Sequence, residues 1–248
     1  MKILLLDIET APNTAHVWGL FDQNIAINQI QASGYTLCWT AKWLGSKELM
    51  FESVQDKRSP KVMLKRIHML LDQADAVVHY NGKKFDIPTL NKEFVIFGMA
   101  PPSPYKQVDL YHSVRRAFRF PSNKLDYITQ ALGLGQKVRH PGHTLWTDCM
   151  KNDPAAWRKM EKYNRQDVKL LEKLYDRVLP WITNHPNVGA YDGITCCPNC
   201  GHTHLQHRGT AITRDTQYER YQCMSCAKWA RGRTRAKGGT SVTLQGIS

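Results

Sequence analysis

Asp7 and Glu9 stand two residues apart at the end of a short apolar run, residues 3–8. If that run is a strand, side chains two apart project to the same side. Two hard oxygen donors then lie side by side, where a divalent cation can be shared; an acidic turn after an edge strand has the same sequence. Asp86 falls in His79-Tyr80-Asn81-Gly82-Lys83-Lys84-Phe85-Asp86, at a strand–loop–helix junction. A carboxylate there caps the helix, binds metal, or does both. Tyr163 and Asp167 are spaced i and i+4 on an expected helix, which puts phenol and carboxylate on one face. A half-buried aromatic beside a solvated acid would read the same way. A second chemistry comes from sulfur. Cys197 and Cys200, then Cys223 and Cys226, form two C-x-x-C pairs with 22 residues between them. Each pair can give two thiolates to one tetrahedral zinc, against the alternatives of free thiols or a redox pair. Cys196 can compete for the site, and His202, His204 and His207 are weaker substitutes.

The elements that must position these groups alternate between strand and helix. The run 3–8 has the length of a buried strand. Residues 35–44 are rich in aromatic and β-branched types, and 48–54 can pair with them across Gly45-Ser46. Apolar spacing predicts a helix over 61–71, through Val62, Leu64, Ile67, Leu70 and Leu71. Residues 76–80 read as another buried strand. A helix is expected over 86–97, with Asp86 at its N-cap and Pro88 in its first turn. Another spans 122–132, closed by Gly133, and residues 155–181 offer one or two more. The breaker-rich stretch 184–193 then marks a boundary. The expected organisation is a catalytic body over 1–187, a cysteine module with a basic arm over 188–237, and a disordered tail over 238–248.

Composition narrows the class. The 248 residues carry 34 Lys+Arg against 21 Asp+Glu, a net charge of +13. That excess favours a polyanionic partner, nucleic acid before an anionic membrane surface. No apolar run reaches the ~18 residues of a membrane span. The N-terminus begins like a signal peptide, but Asp7 and Glu9 interrupt it, so a cytoplasmic location is expected. Seven cysteines, four of them in C-x-x-C pairs, suit a metal site in a reducing compartment better than a disulfide framework. Gly133-Leu134-Gly135-Gln136-Lys137 lacks the spacing of a P-loop.

The ordered set Asp7-Ile8-Glu9-Thr10, Asn81 with Phe85-Asp86, and Tyr163-x-x-x-Asp167 resembles the DnaQ-like (DEDD) 3′→5′ exonuclease superfamily. Tyrosine stands four before the last aspartate, and position 162 is lysine where the histidine subclass would need histidine. The resemblance is therefore to the tyrosine (DEDDy) subclass, and it covers residues 1 to about 183. It implies an α/β body with an RNase H-like mixed sheet flanked by helices. It implies that Asp7, Glu9, Asp86 and Asp167 hold two Mg²⁺ or Mn²⁺ ions, ions that prefer oxygen ligands. Tyr163 would orient the attacking water, and Asn81 and the backbone after Glu9 would lie near the terminal nucleotide. The cysteine pairs resemble a small zinc ribbon, with strands at 211–213 and 218–222 and one structural Zn²⁺.

For the substrate path, Thr10, Trp18, Phe21, Asn81 and Phe85 are candidate contacts. Trp18 and Phe21 lie in a polar stretch after the first motif, where they stack on terminal bases or anchor the loop. Trp39 and Trp43 are expected in the core or on the sheet. Arg115, Arg116, Arg119, Lys124, Lys137 and Arg139 can track phosphates or form a solvated basic face. Asp109 is a rival metal ligand or a cap on the next helix, and His140 and His143 read as loop histidines. Lys228 to Lys237 holds five cations and no acid; Arg231, Arg233 and Arg235 make it a nucleic-acid-binding arm or a solubilising tail. The expected activity is removal of nucleotides from DNA 3′ ends as 5′-monophosphates. An RNA 3′-end trimming enzyme, a non-catalytic binding protein and a structure-selective endonuclease are the alternatives. Single-stranded DNA, or RNA, is the expected partner, and the ribbon can equally dock a replication protein.

Overall fold

The computed structural model describes residues 1–55 and 59–239. The chain divides into two compact units, Lys2–Tyr175 and a second that runs from Asp176 onward and includes Met1. Through the first unit the elements run β1 (Ile3–Thr10), β2 (Thr14–Ala15), β3 (Ile30–Ala32), β4 (Thr36–Trp43), β5 (Met50–Ser53), α1 (Pro60–Gln73), β6 (Ala76–His79), α2 (Asp86–Ile96), β7 (Lys106–Asp109), α3 (Leu110–Ala117), α4 (Leu125–Ala131), α5 (Thr144–Met150) and α6 (Pro154–Val178), whose last three residues belong to the second unit. Five of the strands form one sheet in the order β5-β4-β1-β6-β7. β4 is antiparallel to β1 and to β5. β6 is parallel to β1 and to β7. The result is the mixed sheet flanked by helices that the sequence leads one to expect.

The two faces of this sheet are filled by different helices. Leu4, Leu6 and Ile8 of β1 join Trp39 and Ala41 of β4 in a core with Met63, Leu64, Ile67 and Leu71 of α1 and Leu90 and Phe94 of α2. Leu37 and Cys38 pack on another cluster with Leu145 and Cys149 of α5 and Trp157, Met160 and Tyr163 of α6. On α1 the buried residues are spaced three and four apart; Val62, which the spacing had suggested for that face, is exposed instead. β6 is buried along its whole length, as a strand covered on both faces must be.

α6 is one helix of 25 residues, and a 3-10 turn, Leu179–Trp181, follows it. Asp153 starts it, accepting from the Ala155 backbone N–H at 2.8 Å, with Pro154 in the first position, where its missing N–H costs nothing. α2 begins at Asp86 itself: Phe85 is its cap residue, and no side chain caps the helix. The expected N-cap role of Asp86 is thus corrected, because its carboxylate is engaged elsewhere, on β1. Between β1 and β4, the stretch expected to be irregular contains the two-stranded ladder of β2 and β3.

The second unit contains the short α7 (Val188–Asp192) and the strands β8 (Leu205–Ile212), β9 (Gln217–Cys223) and β10 (Trp229–Arg235), paired antiparallel in the order β10-β9-β8. The run read from sequence as a basic arm is therefore the third strand of this sheet. The expected tail over 238–248 lies outside the described residues from 240 onward. Among the described residues, no helix is long and apolar enough to cross a membrane.

Candidate metal centre

Alternation along β1 decides where its acids go. Leu4, Leu6 and Ile8 face α1 and α2, so Asp7 and Glu9 face the other way, toward α6. The 3.6-residue repeat of α6 brings Tyr163, Asn164 and Asp167 to the matching side, and all three are buried. One oxygen from each of Asp7, Glu9 and Asp167 lies within 4.8 Å of the other two. Residues 160 apart in sequence thus converge because one strand and one helix cross.

Each carboxylate has a partner. The Asn164 side-chain amide donates to Asp7 Oδ2 at 2.6 Å, and the Trp146 indole N–H to Glu9 Oε2 at 3.0 Å. Lys137 Nζ donates to Asp167 Oδ2 at 2.5 Å and to the Tyr163 hydroxyl oxygen at 3.1 Å. The rings of His140 and Trp146 lie edge-on to Tyr163, 4.9 and 6.0 Å away. Asp86 is not one of the converging three. Its Oδ1 accepts from the Ile8 backbone N–H at 3.1 Å, which ties the start of α2 to the strand between the two acids.

Burial and mutual repulsion make this cluster hungry for positive charge. Burial, then Asp167, Asp86 and Glu9, push the Asp7 carboxyl well above the usual range. Burial and Asp167 push Glu9 up to about 8, against the opposing Trp146 hydrogen bond. Burial raises Asp86 to about 7, although its bond from Ile8 pulls the other way. Asp167 is also raised by burial, with Lys137 opposing. For Lys137, burial favours the neutral amine, but Asp167, Tyr163 and Asp7 together more than offset that and keep it cationic. Burial and the nearby Asp167 and Glu9 hold the Tyr163 phenol in its neutral form. One ammonium cannot balance four crowded carboxyl groups, two of which, Asp86 and Asp167, are buried. Asp167 Oδ1 is buried and, among the described residues, has no hydrogen-bond partner. A hard divalent cation supplies what is missing, and the oxygen-only donor set suits Mg²⁺ or Mn²⁺.

The centre opens into a cavity of about 780 Å³. Asp7 and Tyr163 are on its wall together with Asn81, His140 and the cations Lys84, Arg115, Lys124 and Lys137. Asn81 has a left-handed backbone, φ 62°, and its N–H donates to Asp109 Oδ1 at 2.9 Å. Lys83 N–H donates to the other Asp109 oxygen at 3.2 Å. Asp109 also caps α3 through Tyr111 N–H. It therefore holds the loop that presents Asn81, which is a structural task and not that of a rival ligand. Gly82 is required in that loop, since a Cβ there would lie 2.6 Å from His79 Cγ.

Of the other sequence candidates, Thr10 ends β1, where the pairing with β4 shifts register after Glu9. Trp18 and Phe21 are 98% and 83% exposed in the loop between β2 and β3, so neither anchors the loop. Trp39 is fully buried and Trp43 packs against the core. Phe85 is exposed and is not on the cavity wall. Arg116, Arg119 and Arg139 are also not on that wall, in contrast to Arg115, Lys124 and Lys137. Arg231, Arg233 and Arg235 belong to β10 of the second unit. Sequence reasoning missed Trp146 and Asn164, and gave Lys137 and His140 no place at the carboxylates. Asn164 sits beside Tyr163 inside the third motif, which was the one available signal.

In the second unit the four expected cysteines converge, their sulfurs within 4.8 Å of one another. Cys197 and Cys226 Sγ are 3.6 Å apart, as are Cys200 and Cys223. A tetrahedral zinc with ~2.3 Å bonds sets sulfurs ~3.8 Å apart, so the cluster is compatible with a zinc ribbon. Both knuckles make one turn: Gly201 N–H donates to Cys197 O and Ala227 N–H to Cys223 O, each at 2.9 Å. Gly201 and Ala227 have φ 75° and 63°. Cys196, His202, His204 and His207 are outside the cluster. The Asn199 amide donates to Leu179 O and Ile182 O, which fixes the first knuckle to the turn that follows α6.

The solved structure of a family B DNA polymerase from the hyperthermophilic archaeon Pyrobaculum calidifontis is similar in fold, with TM-score 0.56 and 18% identity. The match covers 72% of this chain and 24% of the polymerase, so the chain spans about a quarter of that protein's length. No curated protein matches. Residues 4–179, which include Asp7 and Glu9, the Asp86 junction and the acids of α6, match the profile of the RNase H superfamily. The chain belongs to the RNase H superfamily.

Proposed function

We propose that this protein is a metal-dependent 3′→5′ exonuclease that hydrolyses phosphodiester bonds at DNA 3′ ends and releases 5′-monophosphates. Membership of the RNase H superfamily supports a nuclease, and the fold shared with a DNA polymerase supports nucleic acid as the substrate. The observation that carries the reading is the convergence of Asp7, Glu9 and Asp167 beside Tyr163 and Lys137. The direction of cleavage follows from the resemblance of the three motifs to DEDDy exonucleases.

In this reading Asp7, Glu9 and Asp167 hold the divalent cations, with Asp86 completing the set. Two such ions, when bound, activate a water and neutralise charge on the transition state and the leaving oxygen. The chain's own groups do the rest. Lys137 donates to the Tyr163 oxygen, so the phenol proton is directed away from Lys137, toward Asp167 or a water. A neutral phenol positions that water and does not act as the base, since its ordinary pKa is near ~10 and its surroundings raise it. Asn164 and Trp146 fix the orientation of Asp7 and Glu9. Lys84, Arg115 and Lys124 on the cavity wall hold the phosphates upstream of the scissile bond, and Asn81 meets the terminal nucleotide. The four cysteines hold one structural Zn²⁺.

The test is a gel assay with 5′-labelled single-stranded DNA and RNA of one sequence, in Mg²⁺, in Mn²⁺ and without added metal. The expected result is a metal-dependent ladder that shortens from the 3′ end and is stronger on DNA. Asp7→Ala and Asp167→Ala should each abolish it, a loss of at least ~10³-fold. Degradation by the Asp7→Ala protein at the wild-type rate overturns the proposal.

A further inference from the structure

The register of the β8–β9–β10 sheet sorts its side chains by face. Trp229 is opposite Gln222, Arg231 opposite Arg220, and, after a bulge, Arg235 opposite Tyr218. Partners directly opposite share a face, so one face carries Trp229, Tyr218, Arg220, Arg231 and Arg235. The Arg220 guanidinium lies 5.0 Å from the centre of the Trp229 ring, and that of Arg231 4.1 Å from the Tyr218 ring. All three arginines are exposed, and Trp229 is 47% exposed. The three strands contain five arginines and one acid, Glu219. Glu219 lies one residue from Tyr218 and from Arg220, on the opposite face, and is paired with His207. Among the described residues, the arginine–aromatic face therefore carries no carboxylate.

Such a face has two properties at once. Its charge calls for a polyanion. Its flat groups, guanidinium planes and aromatic rings in alternation, are what unpaired bases stack on, whereas the bases of a duplex are already stacked on each other. An acidic protein would satisfy the charge and leave the stacking groups unused.

We propose that this face of the second unit is a docking platform for single-stranded nucleic acid. Trp229 and Tyr218 take bases, and Arg220, Arg231 and Arg235 take phosphates. The proposal deepens the nuclease reading, because it names the strand state of the substrate and a surface that holds it. It rests on that reading only for the choice of substrate.

The test is fluorescence anisotropy with a labelled 20-nucleotide oligothymidine and with a 20-base-pair duplex. It uses the full-length, zinc-loaded protein in an Asp7→Asn background, without added Mg²⁺ or Mn²⁺. Binding is then read without cleavage. Trp229→Leu should weaken single-strand binding ~10-fold, whereas Trp229→Phe, which keeps a ring, should stay close to the parent. Arg220→Gln with Arg231→Gln should weaken binding and flatten its dependence on salt. Arg214→Gln, in the turn between β8 and β9, should change binding less than 2-fold. Unchanged affinity in Trp229→Leu and in the double arginine variant, at full zinc content, overturns the proposal. Duplex binding as tight as single-strand binding overturns it too. A protein that shows the predicted losses here but cuts nothing with Asp7 restored refutes the nuclease reading and leaves the platform standing.

Discussion

The acid centre and the sulfur centre are both clusters that call for a metal, but they are built in opposite ways. Asp7, Glu9 and Asp167 are set on a strand and a helix that are already packed into clusters of buried apolar side chains. The cost of crowding carboxylates is carried by a framework that can exist without the ion. The cysteines hang on two turns in a unit whose strands are largely exposed; within those turns and strands only Cys197, Asn199 and Cys223 are buried. Ligands of the first kind can be tuned for chemistry, with groups such as Lys137 and Asn164 that orient them. A metal held by the second kind would be part of the fold itself.

The largest expected effect follows from that difference. Removing metal with a chelator should abolish amide-exchange protection in β8, β9 and β10, because structural zinc contributes ~10–16 kcal/mol in modules of this kind. Protection in β1, β4 and α6 should persist. Hydrogen-exchange mass spectrometry reads both, and an equal loss in the two units would break the contrast. Next in size is Lys137→Met. It leaves Asp167 Oδ2 and the Tyr163 oxygen without their donor, and groups that orient metal ligands typically matter ~10–100-fold. The loss should fall on kcat, while the exchange pattern of the second unit is unchanged. Trp18→Ala with Phe21→Ala should come third. Both side chains are exposed, so Tm should hold, while KM for single-stranded DNA rises ~10-fold if they stack on terminal bases. An unchanged KM would remove them from the substrate path.

The smallest effect is a pH signature of the acid centre. A carboxyl with its folded-state pKa raised binds protons more tightly when folded, so folding loses stability as pH rises from the unfolded to the folded value. For Glu9 that window runs from about 4.5 to about 8. A cation that takes the place of those protons should therefore raise Tm more at pH 8 than at pH 6. Equal Mn²⁺-induced shifts at the two pH values would mean that the ion binds elsewhere.

Much of this was legible in the chain itself. The apolar run before Asp7, the spacing of Tyr163 and Asp167, and the two C-x-x-C pairs each carry their geometry in a local period, and those parts matched the structure. What was not legible came from elements meeting. Asp86 reads as a cap because it opens a helix, yet its carboxylate bonds to Ile8, 78 residues away. Lys137 and Trp146 reach the acids from a loop and a short helix with no spacing that announces it. The run Trp229–Arg235 was read for its charge, whereas the arginines at every second position were the period of a strand. A charge pattern and a strand pattern coincided there, and the charge was the louder of the two.

The most direct test of the acid centre is calorimetric titration of the zinc-loaded protein with Mn²⁺ at pH 8, beside an Asp7→Asn, Asp167→Asn double variant. Saturable Mn²⁺ binding by the wild-type protein that the variant loses, at unchanged zinc content and Tm no lower than that of the metal-free wild type, is the predicted result. Equal Mn²⁺ binding by the two proteins would contradict the assignment of Asp7, Glu9 and Asp167 as the metal centre.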